Sequence, residues 1–234
     1  MKQTEIEKNN KTDLTVSTIK SIVGIAPFIG PALQEAFDTF IPDQRLDRLA
    51  KFAIELDNKL TGITKEQINI KMKQESFIDL LEEATIQSTR ALSTERINYI
   101  ASITKKALTE QEISDIENKH LLNLLKELND IEIIWLRFYA VATIGGDEDF
   151  RQKHQDILEQ IYPTLGAEQK ELDKYAIQNS YKEHLATLGL LDREISVDNF
   201  SIGGGSNKLK TAGFDITSLG KLLLRQIGFT DECL

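Results

Sequence analysis

Three histidines, one cysteine and a few clustered carboxylates are the residues with which this 234-residue chain could do chemistry. His120, His154 and His184 stand 34 and 30 residues apart. None has a second His, Cys or carboxylate at a metal-ligand spacing such as H-E-x-x-H. His120 and His154 fall on or beside apolar stripes, where an imidazole packs rather than reacts. Cys233 is the single thiol, so neither an internal disulfide nor a thiolate metal cluster is expected, which suits a reducing, cytoplasmic setting. It is next to last rather than fourth from the end, and prenylation is not expected. Asp147, Glu148 and Asp149 could attract a divalent cation, but calcium needs more oxygens at loop spacing and a distal Glu. The triplet reads instead as negative charge at a helix start, where the dipole favours it. Gly203, Gly204 and Gly205 lack the following Gly-Lys-Ser/Thr of a phosphate loop, and no G-x-S-x-G elbow occurs. Glu82 and Glu83 share a helix surface with no acid–base partner. The expectation is a non-enzyme with no catalytic residue, no metal and no cofactor.

Binding is the class that remains, and charge narrows it. A formal charge of −9 argues against a protein that coats nucleic acid everywhere, while leaving room for a local basic face. Lys208, Lys210, Lys221 and Arg225 stand against Asp215 alone and could grip a phosphate backbone through counterion release. The helix that would read bases, near 182–188, has few suitable side chains beyond Gln178 and Asn179. A DNA-binding regulator is therefore an alternative, and protein contact or self-association the first expectation. No small-molecule substrate is indicated.

A second contact candidate lies at 19–41. From Ser21 to Gln34 there is no charge over 14 residues, short of the roughly 18 to 20 that span a bilayer, and Gly24, Pro27, Gly30 and Pro31 break it. The pattern predicts a helix to about Ala26, a turn, and a new helix with Pro31 at its first position and Ala32, Leu33, Ala36, Phe37 and Phe40 inward. Ile22, Ile25, Phe28 and Ile29 would meet a partner or a membrane if this hairpin is exposed, and the core if it is not.

The elements that position these residues are mostly helical. With 41% hydrophobic and 28% charged residues, the chain has the composition of a globular protein with a sizeable core. Residues 1–13 are polar, lack a signal-peptide pattern and are expected to be disordered. Leu46, Leu49, Phe52, Ala53, Leu56 and Leu60 form one stripe, ended by Gly62, with Arg45, Asp47, Arg48 and Lys51 on a solvated face. Helices follow at about 76–91 (Phe77, Leu80, Leu81, Ala84, Ala91 inward) and about 94–108 (Ile97, Ile100, Ala101, Leu108 inward, capped by Ser93 or Thr94). The stretch Ile113–Val141 is the hub. Its first half is one-sided, with Ile113, Ile116, Leu121, Leu124, Leu125 and Leu128 inward. Its second half is apolar nearly all round, started by an Asn129/Glu132 capping box. A helix from Asp147 to Pro163 carries Phe150, His154, Ile157, Leu158 and Ile161.

After a helix at about 167–188 the period changes. Ile195 and Val197 alternate with polar residues, the glycines at 203–205 make a loose tip, and Leu209, Thr211 and Phe214 resume the strand. Thr217 or Ser218 caps a last helix with Leu219, Leu222, Leu223 and Ile227, closed by Gly228. The predicted fold is mainly α: a helical bundle over 14–162 and a winged-helix-like unit of helix, β-ribbon and helix over 163–234.

Several stretches resemble a bacterial family of helical proteins linked to abortive infection, the Abi-alpha type. They are Phe77-Ile-Asp-Leu-Leu-Glu-Glu-Ala, Arg96-Ile-Asn-Tyr-Ile-Ala-Ser-Ile and Leu121-Leu-Asn-Leu-Leu-Lys-Glu-Leu-Asn-Asp. The most similar part is the ending, Leu185-Ala-Thr-Leu-Gly-Leu-Leu followed by Phe214-Asp-Ile-Thr-Ser-Leu-Gly-Lys-Leu-Leu. The resemblance covers about two thirds of the chain and rests mainly on apolar patterns. It implies a role in defence against phage, with no catalytic residues to carry over.

Overall fold

The structure is a computed structural model that describes residues 43–110, 112–141, 147–164, 166–197 and 209–230, without the side chains of 43, 44, 196, 197 and 209–212. The hairpin expected at 19–41 with Ile22, Ile25, Phe28 and Ile29, the polar terminus 1–13, the tip expected at 203–205 and Lys208 all lie outside the described residues. Those residues form ten helices and one two-stranded antiparallel sheet, so the chain is mainly helical. It divides into two compact units at Lys126/Glu127, with Gln226–Gly228 counting with the first. The boundary expected at 162/163 falls inside the second unit, and the hub stretch is shared between the two.

In the first unit, α1 (Asp43–Lys59) packs on α3 (Glu75–Arg90) and α4 (Thr94–Thr109). All six residues of its stripe are buried, four of them completely, and each large side chain so buried contributes about 1.5–3 kcal/mol. Arg48, expected on the solvated face, donates from Nη1 to the Thr89 carbonyl at 3.2 Å and ties α1 to the end of α3. Between them sits a helix the stripe pattern does not reveal, α2 (Lys65–Lys71), whose single buried residue is Ile68. A Thr64/Gln67 capping box starts it. Ser93 caps α4, accepting from Arg96 N at 3.1 Å. The second half of α3 buries polar residues: Gln87 Nε2 donates across to the Leu122 carbonyl at 3.0 Å, while Ser88 donates to Thr85 O and Thr89 to Ile86 O within the helix.

Helix α5 (Asp115–Glu127) buries Leu121, Leu122, Leu124 and Leu125, but Ile116, expected inward, is 75% exposed. The inward positions of its first turns belong to Asp115 and Asn118, both buried. Asp115 accepts from Lys71 Nζ at 2.7 Å and from Ser76 Oγ at 3.0 Å. That clasp joins α2, α3 and α5 and turns Ile116 outward.

The second unit is arranged around α6 (Asp130–Ala140), on which the helices Gln155–Leu158 and Gln169–Thr187 and the strand Leu209–Ile216 pack. Its capping box is present: Asn129 N donates to Glu132 Oε2 at 2.8 Å and Glu132 N to Asn129 Oδ1 at 2.9 Å. No residue from Ile131 to Val141 is exposed, as expected of a helix packed on every side. The single helix expected from Asp147 is two short ones, α7 (Glu148–Lys153) and α8 (Gln155–Leu158), broken at His154. Helix α9 (Gln169–Thr187) leads into β1 (Leu191–Val197), which pairs antiparallel with β2 (Leu209–Ile216). The register slips between Glu194 and Ile195, leaving Ala212 as a bulge. Helix α10 (Ser218–Gln226) closes the unit.

The two closing stretches meet in space. Thr217 Oγ1 donates to the Gly189 carbonyl at 2.8 Å and accepts from Gly220 N at 3.0 Å, while Thr217 N donates to Leu190 O at 3.1 Å. Gly220 lies so close to the Leu190 carbonyl that no Cβ fits between them.

Candidate functional site: an aromatic groove on the second unit

Helix α9 has two unlike halves. Leu185 and Ala186 anchor its end in the core, whereas every residue from Gln169 to Ile177 is exposed. Leu172, Tyr175 and Ile177 are 40%, 41% and 55% exposed in this half. Beside it runs the non-helical segment 159–164, held by Gln178, whose Nε2 donates to Glu159 O at 2.8 Å and whose Oε1 accepts from Ile161 N at 3.3 Å. Gln178 is itself buried, so these bonds keep the segment parted from the helix at a fixed distance.

Between the two lies a groove of about 770 Å³ lined by Ile131, Trp135, Ile157, Ile161, Tyr162 and Tyr181 among others. A second chamber of about 480 Å³ shares Gln160, Ile161, Tyr162 and Gln178 with it and reaches Tyr139, Lys182 and Phe214. Trp135 is fully buried, and its Nε1–H meets no acceptor among the described residues. Rings continue from it: Phe138 at 5.5 Å, Tyr139 at 6.2 Å, and Phe214 at 6.1 Å from Tyr139. The Lys182 ammonium sits 4.4 Å from the Trp135 ring centroid, and burial pushes its pKa below the usual lysine value. Burial, then the neighbouring Tyr162, pushes the Tyr139 phenol up to about 12.

Two further constellations have types that could do chemistry. His184 Nδ1 stands 2.7 Å from Glu132 Oε1, a buried carboxylate orienting an imidazole. Their separation of 52 residues hid the pair from sequence reading. Catalysis needs a third group to act on, and the His184 imidazole makes no other hydrogen bond among the described residues. The pair ties α9 to α6. In the first unit, Ser76 and Lys71 both donate to Asp115, so the hydroxyl and the amine hold one carboxylate instead of activating each other.

The sequence-predicted residues are dispersed. His120 is exposed, not packed. His154 lies half-buried against Phe150 at 4.7 Å, and burial first, then Lys153 and Arg137, lowers its pKa. Asp147 of the acidic triplet accepts from Arg137 at 2.6 and 3.0 Å, and the guanidinium lies 4.1 Å from Phe150 and 4.7 Å from Phe229. Among the described residues no group of three His, Cys, Asp or Glu could hold a metal, and no helix is long and apolar enough to cross a membrane. Lys210 pairs with Ser196 across the ribbon, Lys221 is exposed and Arg225 half-buried. Within 182–188, Lys182 turns to Trp135, His184 to Glu132, and Leu185 and Ala186 to the core. In comparisons with known proteins, no family model, no curated protein and no solved structure matches this chain.

Proposed function

We propose that this protein is a non-enzymatic cytoplasmic component that acts by contact with another protein, through the aromatic groove of its second unit. The observation that carries the reading is the unpacked half of α9. Helices draw most of their stability from packing an apolar face, yet every residue from Gln169 to Ile177 of the 19-residue α9 is exposed, and Leu172, Tyr175 and Ile177 are displayed beside the 73%-exposed Tyr162. Clustered apolar exposure of this kind marks interaction sites. The resemblance to abortive-infection proteins adds the setting, a phage-defence module in a bacterial cell.

The order helix, ribbon, helix over 169–226 supports a winged-helix-like reading of this part, used for protein contact. A DNA-reading helix would display cations and amides, whereas α9 carries three lysines against Glu171, Asp173 and Glu183. Capture from the native host tests the reading. A Tyr162→Ser, Ile177→Ser variant is expected to lose the partner that the native chain retains, and Leu92→Ser, at an exposed site on the first unit, to keep it. Duplex DNA binding that weakens steeply with salt and falls in Lys208→Ala, Lys210→Ala would contradict it. So would nucleotide or nucleic-acid hydrolysis abolished by one polar substitution.

A further inference from the structure

We infer that the groove receives an extended, basic segment of the partner protein, an inference that rests on the contact reading above. Charge is the first argument. The larger chamber is lined by Asp156, Glu159, Glu168 and Glu171 against Lys170 and Lys174, and none of the four carboxylates makes an ion pair with a described residue. The smaller chamber adds Glu194, and Glu183, which is held by Arg193 at 2.7 Å. Its one cation, Lys182, is turned onto Trp135. An incoming lysine or arginine thus meets a surplus of unpaired carboxylates, and an acidic segment meets repulsion.

The rings supply the second argument. Lys182 over Trp135 is an ammonium already seated on an aromatic face inside this groove. Tyr162, Tyr175 and Tyr181 line the same two chambers and offer further faces to cations. The third is shape. One wall is the non-helical segment 159–164, fixed by Gln178, which makes a channel suited to an extended chain. Trp135, fully buried, closes the floor of the larger chamber.

The test uses the full chain and three synthetic peptides of equal length, in which an apolar residue alternates with Lys, Glu or Ser. Trp135 is the single tryptophan, so its emission reports on the groove, and calorimetry gives affinity. The Lys peptide is expected to bind, shift that emission, and weaken as salt approaches 1 M, where the Debye length is ~3 Å. Tyr162→Ala, and separately Glu168→Gln with Glu171→Gln, should each weaken it about tenfold, equivalent to ~1.4 kcal/mol. Glu112→Gln, on the exposed surface of the first unit, should leave it unchanged. The inference is overturned if the Glu or Ser peptide binds as well as the Lys peptide, or if Glu112→Gln weakens binding equally, which is diffuse attraction. Spermine displacing the peptide at equal affinity overturns it too. If the peptides fail while Tyr162→Ser, Ile177→Ser still loses the host partner, only the basic segment is wrong. If that variant keeps the partner, the groove itself is wrong.

Discussion

Asp115 shows how much one side chain can hold. It is 6% exposed and takes both the Lys71 ammonium and the Ser76 hydroxyl. Asp115→Ala leaves both donors unpaired beside the core and is expected to cost about 3 kcal/mol, the lower end for a broken buried pair. Asp79→Ala, which breaks the exposed pair with Lys119, should cost under about 1 kcal/mol. Urea unfolding of the two variants gives the contrast, and equal losses would contradict the clasp. His154 carries the pH dependence. Its pKa is lowered in the folded state, chiefly by burial, so the unfolded chain takes up the proton first as pH falls. Stability present above the ordinary histidine value, about 6.5, is therefore lost as pH falls through the folded value. In His154→Gln this loss should be smaller, as read from melting temperature between pH 7.5 and pH 5, about one unit above and one and a half units below that value.

At the scale of elements, α1 was legible because six apolar residues recur three and four apart and every one is buried. The α6 start was legible for a similar local reason: Asn129 and Glu132 carry both bonds of their own cap. Asn129→Ala is expected to lower stability by about 1 kcal/mol, measured by thermal unfolding. Gly220→Ala should cost more, about 1–3 kcal/mol, because the new methyl meets the Leu190 carbonyl and Ile216, which belong to the frame of the unit. A neutral Gly220→Ala would mean that α10 is free to shift. Helix α5 was misread at Ile116 because the groups that bury Asp115 come from Lys71 and Ser76, 44 and 39 residues away. The single helix expected after Asp147 is two because His154 leaves helical geometry at φ −113°, ψ 22°, and nothing local in its neighbours announces that break.

For the molecule as a whole, class and most element positions were written in periodicity, whereas the groove was not. Its walls come from α6, the segment 159–164 and α9, brought together by Gln178 and by the Glu132–His184 pair across 52 residues. The unpacked half of α9 has no inward stripe to read: its apolar residues Leu172, Tyr175 and Ile177 simply remain outside. The same arrangement gives the contact reading its sharpest test, a photo-reactive residue placed at position 162 or 175 in the native host, with position 92 as the control. The account predicts that 162 and 175 capture one and the same protein and that 92 does not. Capture at 92 alone, or the same products from all three positions, would contradict it.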